Sequence, residues 1–199
     1  MQPRTTRRAS ALLLVVLGLT ACGPVGSGDI VTETREVGDF DRIEISDGIV
    51  LEVAVDAGAG ALVEAVYDDN LQERIVTEVD DGTLLIQGSG WGSFDALGSG
   101  RRVQVSIPAL SGLVVSGGSR VVVIGVAEEM ALRADGGANV DLSDLIVRTM
   151  HLTVSGGASA TVNVTDAIDG EVSAGANLSV RGDPGSSDLE VSGAATLED

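Results

Sequence analysis

Lysine is missing from this chain of 199 residues, and cysteine, histidine, tryptophan and tyrosine occur once each. A single cysteine, Cys22, excludes an internal disulfide. The single histidine, His151, sits next to Leu152 at an outward strand position, with no second histidine and no free thiol to share a metal or activate a nucleophile. Zinc and Ser-His-Asp chemistry drop out together, and nothing in the sequence calls for a cofactor. Aromatic side chains make up 2% of the composition, and the one sustained apolar run, Ala11 to Leu19, is too short to cross a bilayer. All 12 basic residues are arginine against 30 acidic residues, a formal charge of −18. Such a surface repels DNA, RNA and anionic headgroups; it leaves cations, cationic partners or plain solubility, and excludes nucleic acid as a partner.

What the chain does have is glycine, 27 residues of it, and one word said five times. Leu113-Val-Val-Ser-Gly-Gly-Ser, Leu132-Arg-Ala-Asp-Gly-Gly-Ala, Leu152-Thr-Val-Ser-Gly-Gly-Ala, Gly170-Glu-Val-Ser-Ala-Gly-Ala and Leu189-Glu-Val-Ser-Gly-Ala-Ala align on Ser116, Asp135, Ser155, Ser173 and Ser192. The spacings are 19, 20, 18 and 19 residues, the period of a repeat protein. Within each copy apolar residues alternate with Arg133, Thr153, Glu171 or Glu190, which is strand periodicity. Small residues follow, and then a second alternating run such as Val121/Val123 or Val140/Leu142. Each unit therefore reads as two short strands joined across a corner where glycine supplies backbone angles that a β-carbon penalises. A helix is excluded, since its interior loses about 1 kcal/mol for each glycine relative to alanine. A unit of this size cannot bury its own apolar face, so neighbours must stack edge to edge at roughly 4.8 Å per layer. The repeats predict an all-β solenoid of about 19 residues per rung.

The N-terminus carries an address. Arg4, Arg7 and Arg8 precede Ala11 to Leu19, and the run ends in Leu19-Thr20-Ala21-Cys22-Gly23. That ending resembles the lipobox of bacterial lipoproteins, in which small residues admit the signal peptidase and the cysteine sulfur takes a diacylglycerol. Residues 1–21 are then a lipoprotein signal peptide, and Cys22 is the lipidation site. Gly23 to Gly38 reads as a flexible tether holding a domain off the membrane.

From Phe40 alternation begins, in a less regular β region that starts or caps the coil. Ile43 and Ile45, a turn at Asp47-Gly48, then Ile49 to Val55 and Leu62 to Tyr67 read as strands. Asp68 to Arg74 is the one place for a single helical turn with an Asp or Asn cap. Ile75 to Val79 and Leu84 to Gln87 flank Asp81-Gly82, a hairpin signal, and Arg102 to Ile107 is a further strand stopped by Pro108.

Taken in order, Asp39-Phe40-Asp41-Arg42-Ile43-Glu44-Ile45, Asn70-Leu71 with Thr77 to Leu84, Val103 to Leu110 and the Ser-Gly-Gly-Ala words resemble the bacterial family putative auto-transporter adhesin, head GIN domain. The resemblance covers residues 38 to 199. It implies a single-stranded right-handed β-helix in a secreted or lipid-anchored protein, and since the family has no established catalytic residues it carries none over.

Four further features compete for a role. Gly136-Gly137-Ala138-Asn139-Val140-Asp141 approaches a calcium-binding nonapeptide, but the positions equivalent to Asp141 in other copies are Val122, Thr161 and Ser179. Arg181-Gly182-Asp183 spells an integrin tripeptide that chance explains in a chain rich in Gly and Asp. The pairs Asp141/Asp144 and Asp166/Asp169 offer the carboxylates that a polysaccharide lyase or hydrolase gathers on one solenoid face. Trp91 and Phe94 lie in Gly88 to Gly100, the longest irregular insertion, where aromatics are available to stack on a sugar or a partner's apolar patch, or where Trp91 folds back to cover an end of the sheet. Tight repeats leave little chain for a substrate cleft. The sequence therefore predicts a non-catalytic adhesin, scaffold or binding module of the cell envelope, with residues 39–199 as its domain. It would be held by Cys22 on the extracytoplasmic side of a bacterial membrane and make contact through Trp91 and Phe94 with an envelope glycan or protein. A carbohydrate-active enzyme working with paired aspartates is the alternative.

Overall fold

Each small-residue corner of the repeat is built in the same way, by two residues with left-handed backbone. Gly117 and Gly118 have φ of 60° and 74°, and the Ser119 amide donates back to the Ser116 carbonyl at 3.1 Å to close the turn. Ala138, Ala158, Ala176 and Ala195 donate in the same way to Asp135, Ser155, Ser173 and Ser192. The first residue of the turn needs glycine for a second reason. A β-carbon on Gly156 would stand 3.0 Å from the Gly136 amide nitrogen of the neighbouring corner. Ala174, at φ 52°, bears the strain in the one copy that lacks this glycine.

The computed structural model describes residues 26–89 and 100–198. Its strands in chain order are β1 (Ile30–Thr34), β2 (Arg42–Ile45), β3 (Val50–Val55), β4 (Leu62–Asp68), β5 (Ile75–Asp80), β6 (Thr83–Gly88) and β7 (Arg102–Ile107), followed by β8 (Gly112–Val115), β9 (Arg120–Ala134), β10 (Asn139–Val154), β11 (Ser159–Val172), β12 (Asn177–Gly182), β13 (Ser186–Val191) and β14 (Thr196–Glu198). The only helical element among the described residues is the 3₁₀ turn Asp69–Arg74, at the predicted place. All the strands join one open, curled sheet wrapped around a single, mainly aliphatic core. Among the described residues no helix is long and apolar enough to cross a membrane.

The repeats pair in parallel and in register. Leu113 lies beside Leu132, Leu132 beside Leu152, Leu152 beside Gly170 and Gly170 beside Leu189. The corners follow in a column, with the amides of Asp135, Ser155, Ser173 and Ser192 donating to Val115, Ala134, Val154 and Val172 at 2.9–3.0 Å. Register shifts at Leu142/Ile146 and Val147/Thr149 break the long β10 into segments, and there the inward parity changes and the sheet curls.

A sixth copy of the word escaped the sequence reading. Ile43 and Ile45 of β2 pair with Leu113 and Val115 of β8, and the Ser116 amide donates to the Ile45 carbonyl, so Ser46-Asp47-Gly48 is another corner of the column. β2 in turn lies beside β6, and β3 lies between β7 and β9. The less regular N-terminal region is therefore continuous with the repeats.

One end of the sheet is closed by antiparallel strands: β5 on β6, β4 on β7 and β1 on β4. The predicted tether does not hold over Ile30–Thr34, because that segment is β1. The cause is a latch the sequence does not advertise. Asp68, fully buried, ion-pairs with Arg101 and accepts from the Gly28 amide at 2.7 Å, while Gln72 donates to the carbonyls of Val31 and Ala65 at 2.9 and 3.1 Å. The Arg101 hydrogen bond is the main cause that lowers the Asp68 carboxyl to about 2. Asp68 occupies the predicted capping position of the 3₁₀ turn but makes no capping bond, its oxygens being committed to the latch.

Candidate functional site

In a pleated sheet, side chains of one parity form columns across the strands. On the outer face, pairing aligns Leu62 of β4, Ser106 of β7, Ala54 of β3, Ile124 of β9 and Asp144 of β10. The adjacent column is Glu64, Gln104, Glu52, Val122 and Asp141. Aliphatic side chains here face water: Leu62 is 43% exposed, Val122 37%, Ile124 48%, and round the next bend Val126 60% and Ile146 47%. Scattered single apolar residues on a surface are ordinary, but a contiguous strip is a mark of interaction sites.

The strip is concave where its floor is short. Ala54 and Ser106 stand between the taller Leu62 and Ile124 and leave an open trough of about 410 Å³, with Glu52, Glu64 and Gln104 on its rim. Glu52 is held in place by Arg102 at 2.8 Å and by the Gln104 amide at 3.0 Å. Glu64 and Asp144 have no ion-pair or hydrogen-bond partner among the described residues. At the bend Gly125 has φ 127°, and a β-carbon there would lie 2.2 Å from the Val55 carbonyl oxygen, so this glycine lets β9 turn tightly over β3. Beyond it a second groove, of about 720 Å³, runs between Asp56, Pro108, Val126, Glu128 and Arg148.

Of the four aspartates singled out from the sequence, Asp141, Asp166 and Asp169 are engaged locally, and Asp144 has no partner among the described residues. Arg148 bridges Glu128 at 2.8 Å and Asp166 at 3.0 Å, and these hydrogen bonds raise its own pKa. Asp169 lies 2.5 Å from Nδ1 of His151, both exposed. Asp141 accepts from the Ser143 amide at 3.0 Å, and its pKa is lowered, first by the Ser143 side chain and then by that amide. Asp141 lies in one column with Val122, Thr161 and Ser179, so the calcium-like word is not repeated by its neighbours in space. Among the described residues no group of three His, Cys, Asp or Glu side chains is placed to hold a metal ion. Arg181 and Asp183 are exposed around Gly182, whose φ of 91° and close approach to the Val164 carbonyl require glycine. Cys22, Trp91 and Phe94 lie outside the described residues.

The trough was not foreseen from the sequence. Its residues come from four strands spread between positions 52 and 124, and only non-local pairing makes them neighbours. The signal that was available was Val122 and Ile124, apolar at the outward parity of a strand whose inward residues are Val121 and Val123.

The family model putative auto-transporter adhesin, head GIN domain, matches residues 39–129 and again 113–184, two overlapping stretches that together include the trough and every corner of the column before Ser192. Among solved structures, a putative adhesin from Bacteroides fragilis is 16% identical, with a TM-score of 0.53 over 88% of this chain and 99% of its own. A putative lipid binding protein from Parabacteroides distasonis is 15% identical, with a TM-score of 0.43 over 89% of this chain and 99% of its own. The first supports the fold alone. No curated protein matches the sequence.

Proposed function

Since the chain belongs to the family putative auto-transporter adhesin, head GIN domain, we propose that it is a non-catalytic binding protein of the cell envelope. In this reading it is lipid-anchored through Cys22 on the extracytoplasmic side of a bacterial membrane, and it presents the outer face of a right-handed β-solenoid of about 19 residues per rung. The right hand is the one that crossovers between parallel strands adopt.

One observation carries the reading: the exposed aliphatic strip around Ile124, floored by the short side chains Ala54 and Ser106, lies on a sheet paired on both sides. A rigid concave apolar surface is suited to holding a partner at little ordering cost. The enzyme alternative needs two aspartates converging on one bond, and Asp166 and Asp169 are each engaged with a cation or an imidazole instead. Trp91 and Phe94, outside the described residues, remain candidate contacts.

The test has two arms. Cys22→Ser releases the full chain from membranes on fractionation; a variant that stays membrane-bound contradicts the anchor. A glycan and envelope-protein binding screen of the full chain, with Trp91→Ala and Ile124→Asp beside it, returns a bound partner that one of the two variants loses; no bound partner of either kind contradicts the binding role.

A further inference from the structure

We infer that the outer trough takes an extended polypeptide segment with aliphatic side chains at its centre and an arginine or lysine at each end, about six residues apart. This rests on the binding reading above and names the partner's chemistry.

The walls settle the centre of that segment. Leu62, Val122 and Ile124 are aliphatic, and among the described residues the aromatics Phe40 and Tyr67 are buried. Among the described residues no aromatic face lines the trough for a sugar ring to stack on, whereas Leu or Val side chains fit between Leu62 and Ile124 over the short floor of Ala54 and Ser106. The rim settles the ends. Glu64 is two residues from Leu62 on β4, and Asp144 is paired with Ile124 across β9 and β10; neither has a partner among the described residues. An apolar floor with Glu64 on its rim and Asp144 one strand beyond its Ile124 wall repels anionic phospholipid. It also repels a second copy of this chain, which would set its own carboxylates against these.

The spacing follows from the sheet. Four strand intervals separate β4 from β10 through β7, β3 and β9, about 19 Å at roughly 4.8 Å each. An extended segment advances about 3.3 Å per residue, so two cations that meet Glu64 and Asp144 together stand about six residues apart.

The probe is the synthetic peptide Arg-Ser-Leu-Ser-Leu-Ser-Arg, titrated against the purified full chain in low salt. It is compared with the same peptide ended by glutamate and with one whose arginines are two residues apart. Only the first binds, and its affinity falls about tenfold on raising the salt from 50 to about 300 mM. Ile124→Asp weakens it at least tenfold, and so does the double variant Glu64→Gln, Asp144→Asn, which also removes the salt dependence. Ile124→Ser, with the milder change on an exposed position, confirms the effect in a chain whose thermal transition matches the parent. Binding of the glutamate-ended peptide, equal binding of the closely spaced one, indifference to Ile124→Asp, or no binding at all overturns the inference. So does a dimer or a glycan complex that Ile124→Asp abolishes, but that outcome leaves the binding role standing. A full chain that binds nothing in the envelope screen removes both.

Discussion

Gly170 lies against the backbone of Leu152 so closely that a β-carbon on it would stand 1.9 Å from the Leu152 carbonyl oxygen, at a φ of 140°. It is the one copy of the repeat in which that column holds neither leucine nor isoleucine. Restoring the repeat's consensus with Gly170→Leu therefore destabilises the protein, by about 2 kcal/mol or more given a strained backbone that costs 1–3 kcal/mol and a main-chain clash. Gly137→Ala, at φ 78° with nothing within 4 Å of the new methyl, costs only the backbone strain of about 1 kcal/mol. Urea unfolding of the two variants measures the difference.

Ser119 occupies the inward position that alanine holds at Ala138, Ala158 and Ala176; all four are buried, and the Ser119 hydroxyl has no hydrogen-bond partner among the described residues. An unsatisfied buried hydroxyl costs about 1–3 kcal/mol. Ser119→Ala raises the unfolding free energy by about 1 kcal/mol, read from the same titration at unchanged slope.

The latch on β1 is sensitive to acid. Unfolded, Asp68 titrates near about 3.9, while folded its carboxyl is lowered to about 2. The folded form binds fewer protons over that interval, so the contribution of Asp68 is whole above about pH 4 and is lost as pH falls through about 2. Amide exchange in β1 accelerates over that window ahead of the repeat strands. Asp68→Asn shows the fast exchange already at neutral pH, because it removes the carboxylate that the Arg101 guanidinium engages.

The corner column and its register were legible because the information is local: five similar words, each with its own left-handed turn, and a period that fixes which residues meet. The Asp81-Gly82 hairpin was legible for the same reason, since Asp81 and Gly82 carry the positive φ that such a turn demands. The turn at Asp47-Gly48 was legible, but its place in the corner column was not, because its neighbour in space, Ser116, is 70 residues beyond Ser46 and the intervening chain closes the end of the sheet before returning. β1 was missed because nothing in Ile30–Thr34 announces its partner; the latch residues Asp68 and Arg101 lie far along the chain. The trough shares that difficulty, being made of outward residues that only the pairing of β4, β7, β3 and β9 assembles.

Presenting a face and cutting a bond leave different marks on a cell envelope. The direct measurement is cosedimentation of the full chain with delipidated cell-envelope preparations, assayed in the same tube for released saccharide fragments. Retention that Ile124→Asp reduces about tenfold, with no fragments released, is the predicted result. Fragment release that Asp169→Asn abolishes, alongside retention that Ile124→Asp leaves unchanged, contradicts it.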